Sequence, residues 1–192
     1  MTMSPSIRKF TLSVHLICSV GWIGAVVAYL ALAITPLVRP DLQTVRAVWT
    51  ALDVTGWWAI VPLAVGALLT GLIMSLGTPW GLFRHYWVLI SLVLTVFCLG
   101  VLLEHMQSVS PIVQIVQAPE TGQGAPSADL MHPGVGLLVL LVITALNVYK
   151  PAGLTPYGWR KQREQRRVLE RNKAQRPVLV GAADGVGSPD AS

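Results

Sequence analysis

Residues 133–149, PGVGLLVLLVITALNVY, decide the fold of this chain. A hydrocarbon core of about 30 Å takes roughly 20 residues of helix, with roughly 17 as the lower limit, and this run just reaches it. If it crosses a membrane, both ends of the chain lie on one side; if it does not, they lie on opposite sides. The flanking charges favour a crossing, because Lys and Arg collect on the cytoplasmic side of membrane helices. Arg8 and Lys9 precede the first apolar run, nine Lys and Arg follow residue 149, and the stretch from 106 to 132 has none. Only an even number of spans places both basic ends in the cytoplasm.

The rest of the chain agrees. Of its 192 residues 53% are hydrophobic and 12% charged, with a mean hydropathy of +0.60, whereas a soluble domain carries about 25% charge. Three further runs, 10–37, 57–76 and 86–106, are long and apolar enough to span. The first follows two basic residues like a signal peptide. It outlasts the roughly 7–15 apolar residues of such a leader and ends in ALAITPLVRP without a small-residue cleavage pattern, so it reads as a retained helix. The expected fold is all-α: a polytopic membrane four-helix bundle over 7–150, both termini cytoplasmic, in a bacterial inner membrane. A basic tail, 151–192, follows, disordered at its end.

The connections have their own signals. In SLGTPWGLFRHYWVL, 75–89, Gly77 and Pro79 end a helix, Arg84 supplies cytoplasmic charge, and Trp80, Tyr86 and Trp87 suit the interfacial aromatic belt. The tail segment YKPAGLTPYGW, 149–159, repeats that vocabulary on the same face, so the two are expected to pack together. Between Pro40 and Trp57, Leu42, Val45, Trp49 and Leu52 recur at helical spacing behind Asp41, an N-cap residue, predicting a short amphipathic helix at the outer interface. WRKQREQRRVLERNK, 159–173, reads as a basic helix, attracted to anionic lipid headgroups by about 1 kcal/mol per basic residue. It lacks the aromatic interleaving of a nucleic-acid binder.

Candidate chemistry rests on four histidines. His15 lies inside the first span and shares a face with Cys18 and Trp22, while Gly21, Gly24, Ala25 and Ala28 permit close helix approach. A neutral histidine there either bonds across helices or ligates haem iron, with His85 as the second candidate ligand on the same side. His105 and His132 lie toward the outer ends of the third and fourth spans, each beside a methionine, Met106 and Met131. Imidazole and thioether together suit copper, especially soft Cu(I); the alternative is polar capping of two helix ends. Cys18 and Cys98 both fall in spans, where a secreted-type disulfide is not expected. No GxSxG, HExxH or phosphate-binding loop occurs, so no catalytic residues are assigned and no enzyme is expected. Without an evident inverted repeat a secondary transporter is not expected either.

The first span, HLICSVGWIG, has a His-x6-Trp-x-Gly pattern and resembles the first spans of the copper-resistance protein D group and of the four-helix bacterial protoporphyrinogen oxidases. That resemblance implies His15 as a haem or metal ligand. Over residues 7–165, the 75–89 hairpin, the third-span ending HM and NVYKPAGLTPYGWRKQ are similar to a family of small uncharacterised four-helix membrane proteins of high-GC, actinobacterial-type organisms. Two functions follow as expectations. One is a structural or interaction component of the membrane, self-associating or bound to other membrane proteins. The other is a b-type haem or copper protein using His15, with either His85 on the inside or the His105 and His132 pair on the outside.

Overall fold

The computed structural model describes residues 3–77, 82–118, 129–151 and 153–184, with side chains to 173. The fold is all-α. Its elements are α1 (Pro5–Val38), α2 (Leu42–Thr55), a π-helical turn (Gly56–Ile60), α3 (Val61–Gly77), α4 (Tyr86–Gln117), α5 (Met131–Tyr149) and α6 (Pro156–Asp184). Four helices are long and apolar enough to cross a membrane: α1, the continuous rod Leu42–Gly77, α4 and α5. Only 11–22% of each span is buried within the protein. Side chains such as Phe10, Ile17, Val20, Phe97 and Leu138 lie outside, an apolar surface that lipid rather than water must cover.

The amphipathic helix of the 40–57 segment is present, and the Asp41 carboxylate accepts from the Thr44 amide, 2.9 Å away. It differs from expectation in not being a separate element. It runs on through the π turn into α3 as one rod. Gly56 allows this: a Cβ there would overlap the Met106 sulfur, so glycine lets α4 approach where the helix takes in its extra residue. Trp57 and Trp58 stand on this turn, Trp58 largely exposed, in the manner of an interfacial belt.

Two packing regimes follow along the helices. Between α1 and α3 the contacts are knobs on small residues: Leu63 against Gly21, Cys18 against Gly66 and His15 against Gly71. Close approach of this kind holds helices together in lipid, where apolar burial gives no drive. Beyond the level of Met106, α2 packs on the end of α4 as in a soluble protein. Val45, Val48, Trp49 and Leu52 are buried against Met106, Val109 and Val116. Polar groups seam this junction: Arg46 donates to the carbonyls of Val116 (2.9 Å) and Ala118 (3.1 Å), closing the C-terminus of α4. Ser110 donates to Asp53 at 2.7 Å and receives the Trp57 indole N–H at 3.2 Å.

At the opposite end the hairpin and tail do pack together. The Tyr86 amide donates to Gly153, the Thr155 amide donates to Arg84, and the Thr155 hydroxyl bonds the Phe83 carbonyl. Arg84 also donates to Gln165 on α6, at 3.0 Å. Helix α6 carries the basic stretch with exposed side chains and continues to Asp184, so 177–184 of the tail end are helical. Residues 119–128 of the stretch between the third and fourth spans, residues 185–192 and Trp80 lie outside the described residues.

Gly56→Ala is expected to lower stability by about 1–3 kcal/mol, because Met106 is fully buried and has nowhere to move. Thermal unfolding in detergent measures it. Met106→Ala should make the Gly56→Ala change nearly harmless, so the double variant loses less than the sum of the singles. Gly24→Ala, which meets open space, should leave the transition in place.

Candidate functional site

The candidate site is built where α4 and α5 meet below the α2 junction. Adjacent residues on a helix project about 100° apart, so His105 and Met106 cannot face one way. Met106 is buried against Gly56, and His105 turns instead to α1 and α5. Its ring stacks on His132, centroids 4.9 Å apart and planes inclined by 21°. His105 Nε2 lies 3.2 Å from the Tyr29 hydroxyl. The structure therefore brings together the outer histidine pair, leaves the Met106 sulfur in the core, and places Met131 at the exposed start of α5.

A third ligand-type group joins them. Asp129 precedes α5, accepts the Met131 amide on Oδ1 (2.8 Å) and takes the His132 Nδ1–H on Oδ2. Burial pushes the Asp129 carboxyl up, but the hydrogen bonds from His132 and Met131 and the two nearby imidazoles outweigh it. Its pKa is held below the ordinary carboxylate value. Asp129 is thus an anion at neutral pH. One ligand atom from each of His105, Asp129 and His132 lies within 4.8 Å of the others.

Two cavities adjoin the cluster. One, of about 220 Å³, is bordered by Glu104, His105, Ser108, Asp129, His132 and Trp49. The Trp49 indole nitrogen is buried without a hydrogen-bond partner among the described residues. The other, of about 290 Å³, is apolar and runs between α1, α4 and α5.

The inner candidates are arranged differently. His15 Nδ1 lies 3.1 Å from the Ala67 carbonyl and 3.0 Å from the Thr70 hydroxyl. A carbonyl only accepts, and the Thr70 proton is committed to the Gly66 carbonyl at 2.6 Å, so Nδ1 carries the hydrogen and Nε2 the lone pair. His15 ties α1 to α3. His85 caps the N-terminus of α4, pairs through its backbone with Leu154, and has its ring centroid 6.2 Å from that of Trp87. The described contacts of His15 and His85 thus lead to different elements and do not join the two rings. Cys18 and Cys98 are free thiols.

Asp129, Tyr29 and Trp49 were not legible as site residues. Asp129 three residues before His132 has the spacing of a helix cap, and Tyr29 lies seven residues after Trp22 on one face of α1. Neither pattern signals a ligand. A double-mutant cycle on Tyr29→Phe and His105→Ala, followed by unfolding in detergent, should return a coupling of about 0.5–1.5 kcal/mol for their hydrogen bond. Strict additivity would contradict the contact. Comparison of the chain with family models, curated proteins and solved structures gives no match.

Proposed function

We propose that this is a multi-pass inner-membrane protein with both termini in the cytoplasm, and that its extracytoplasmic end binds a divalent transition metal, Cu²⁺ most tightly. The observation that carries this reading is the convergence of His105, Asp129 and His132. Two imidazole nitrogens and a carboxylate oxygen form a borderline set that suits Cu²⁺ and Zn²⁺, and Cu²⁺ stands highest in the usual affinity order. With Met106 committed to the core, the softer thioether set for Cu(I) loses one member. An ion would displace the proton between His132 and Asp129, so binding releases protons. The haem reading, through His15 with His85, lacks a comparable juxtaposition.

The small-residue face of α1, an argument for a purely structural or interaction role, is partly occupied within the chain by α3. A second surface for partners is α6, whose exposed arginines and lysines suit anionic lipid headgroups at the cytoplasmic face.

Chelator-stripped protein in detergent should bind one equivalent of Cu²⁺ in a calorimetric titration. His132→Ala and Asp129→Ala should each weaken binding by about tenfold or more, whereas His15→Ala and His85→Ala should leave it unchanged. Absence of saturable binding, or its loss in His15→Ala, would overturn the assignment. A reporter fused after residue 176 should report cytoplasm, and an external signal would reverse the topology.

A further inference from the structure

The apolar cavity between α1, α4 and α5 is unused by the metal reading. It measures about 290 Å³, and its walls include Trp22, Val26, Leu102 and Leu140. Phe97, Val135 and Met131 also border it, and all three are exposed on the apolar outer surface, so its mouth opens sideways to lipid. Its polar end is formed by His105 and His132 with Tyr29, which is itself 3% exposed. A ligand here arrives from the bilayer, is mostly apolar, and carries its polar atoms at one end.

The hydrogen bonding at the polar end limits which polar atoms those are. Tyr29 and His105 share one hydrogen bond. If His105 Nε2–H donates to the phenol, the Tyr29 hydroxyl proton is uncommitted; if the phenol donates, the neutral ring carries its proton on Nδ1. The first arrangement leaves the Tyr29 O–H as a donor, and the second leaves the His105 Nδ1–H, so each tautomer keeps one donor on this pair. That donor calls for an acceptor on the ligand. An aromatic wall, Trp22 and Phe97, suits a flat ring. The volume lies near the lower bound of about 300 Å³ for small-molecule pockets, enough for one ring system but not for a long tail, which must leave through the mouth.

We propose that this cavity binds a lipid-soluble quinone: a carbonyl-bearing ring seated against Tyr29 and His105, with its tail in the bilayer. A phospholipid acyl chain would fill the apolar part and leave the donor unanswered. The site requires no metal, so it stands apart from the copper assignment although His105 borders both.

The full chain in nanodiscs, in buffer containing EDTA, should bind decylubiquinone saturably, read by quenching of tryptophan fluorescence. Gly136 borders the cavity, and a Cβ there meets nothing within 4 Å, so Gly136→Leu fills the space without a backbone clash. It should abolish saturable quenching while the thermal transition and the EDTA-free Cu²⁺ titration stay as in the unaltered protein. Tyr29→Phe combined with His105→Leu removes both donors and should weaken binding about tenfold, the worth of one hydrogen bond. This second variant decides the matter if Gly136→Leu fails to fold. Quenching unaffected by either change, or displacement of the quinone by 1-decanol at equal concentration, would overturn the proposal. Loss of copper binding alone would not touch it.

Discussion

The structure depends on a mismatch of lengths. Helix α1 has 34 residues, the α2–α3 rod 36 and α4 32, whereas α5 has 19. At 1.5 Å per residue the first three reach about 48–54 Å, against a hydrocarbon core of about 30 Å. The shortest helix marks the depth of the layer. Asn147 near its end bonds Ser91 on α4 at 3.3 Å, and His132 near its start stacks on His105. A crossing as long as α5 would take α4 no further than about His105, and would leave the rest of α4, together with α2, as surplus.

That surplus is what builds the site. Backbone in lipid must bond to itself, which makes the spans helical whatever their side chains. Past the lipid, helices are held by burial of apolar groups from water, and α2 supplies a face for the end of α4 to cover. Leu52, Met106, Val109 and Val116, the largest fully buried side chains among the described residues, all belong to this junction. Each gives about 1.5–3 kcal/mol on removal from water. Gly56 and Met106 set how closely the two elements approach, and Arg46 closes the end of α4. His105 therefore sits at the boundary between the two regimes, one residue below the buried Met106, dry enough for strong polar contacts and near enough to the surface for an ion to enter.

Much of this was legible in the sequence. Hydropathy marks the spans because lipid leaves no alternative to continuous apolar helix, and Asp41 with Val45, Trp49 and Leu52 announces α2 by period and cap. The continuity of α2 with α3 was hidden, since the amphipathic period of 42–52 and the apolar run from 57 read as two elements; Gly56 between them serves a close approach. The pairing of His105 with His132 followed from their similar depth on neighbouring spans. Asp129 and Tyr29 joined them only through tertiary geometry, and Met106 turns away from its neighbour His105 because sequence adjacency is not adjacency in space on a helix. His15 drew attention as a polar residue in lipid, and the α3 carbonyl and hydroxyl that satisfy it lie more than fifty positions away.

The most direct test of this account is to locate a bound ion rather than to weigh its affinity. An anomalous difference map from crystals of the full chain soaked in Cu²⁺ should place one peak at about 2 Å from a nitrogen of His105, a nitrogen of His132 and an oxygen of Asp129. A peak on His15, or fully soaked crystals with no peak at the α4–α5 boundary, would contradict it.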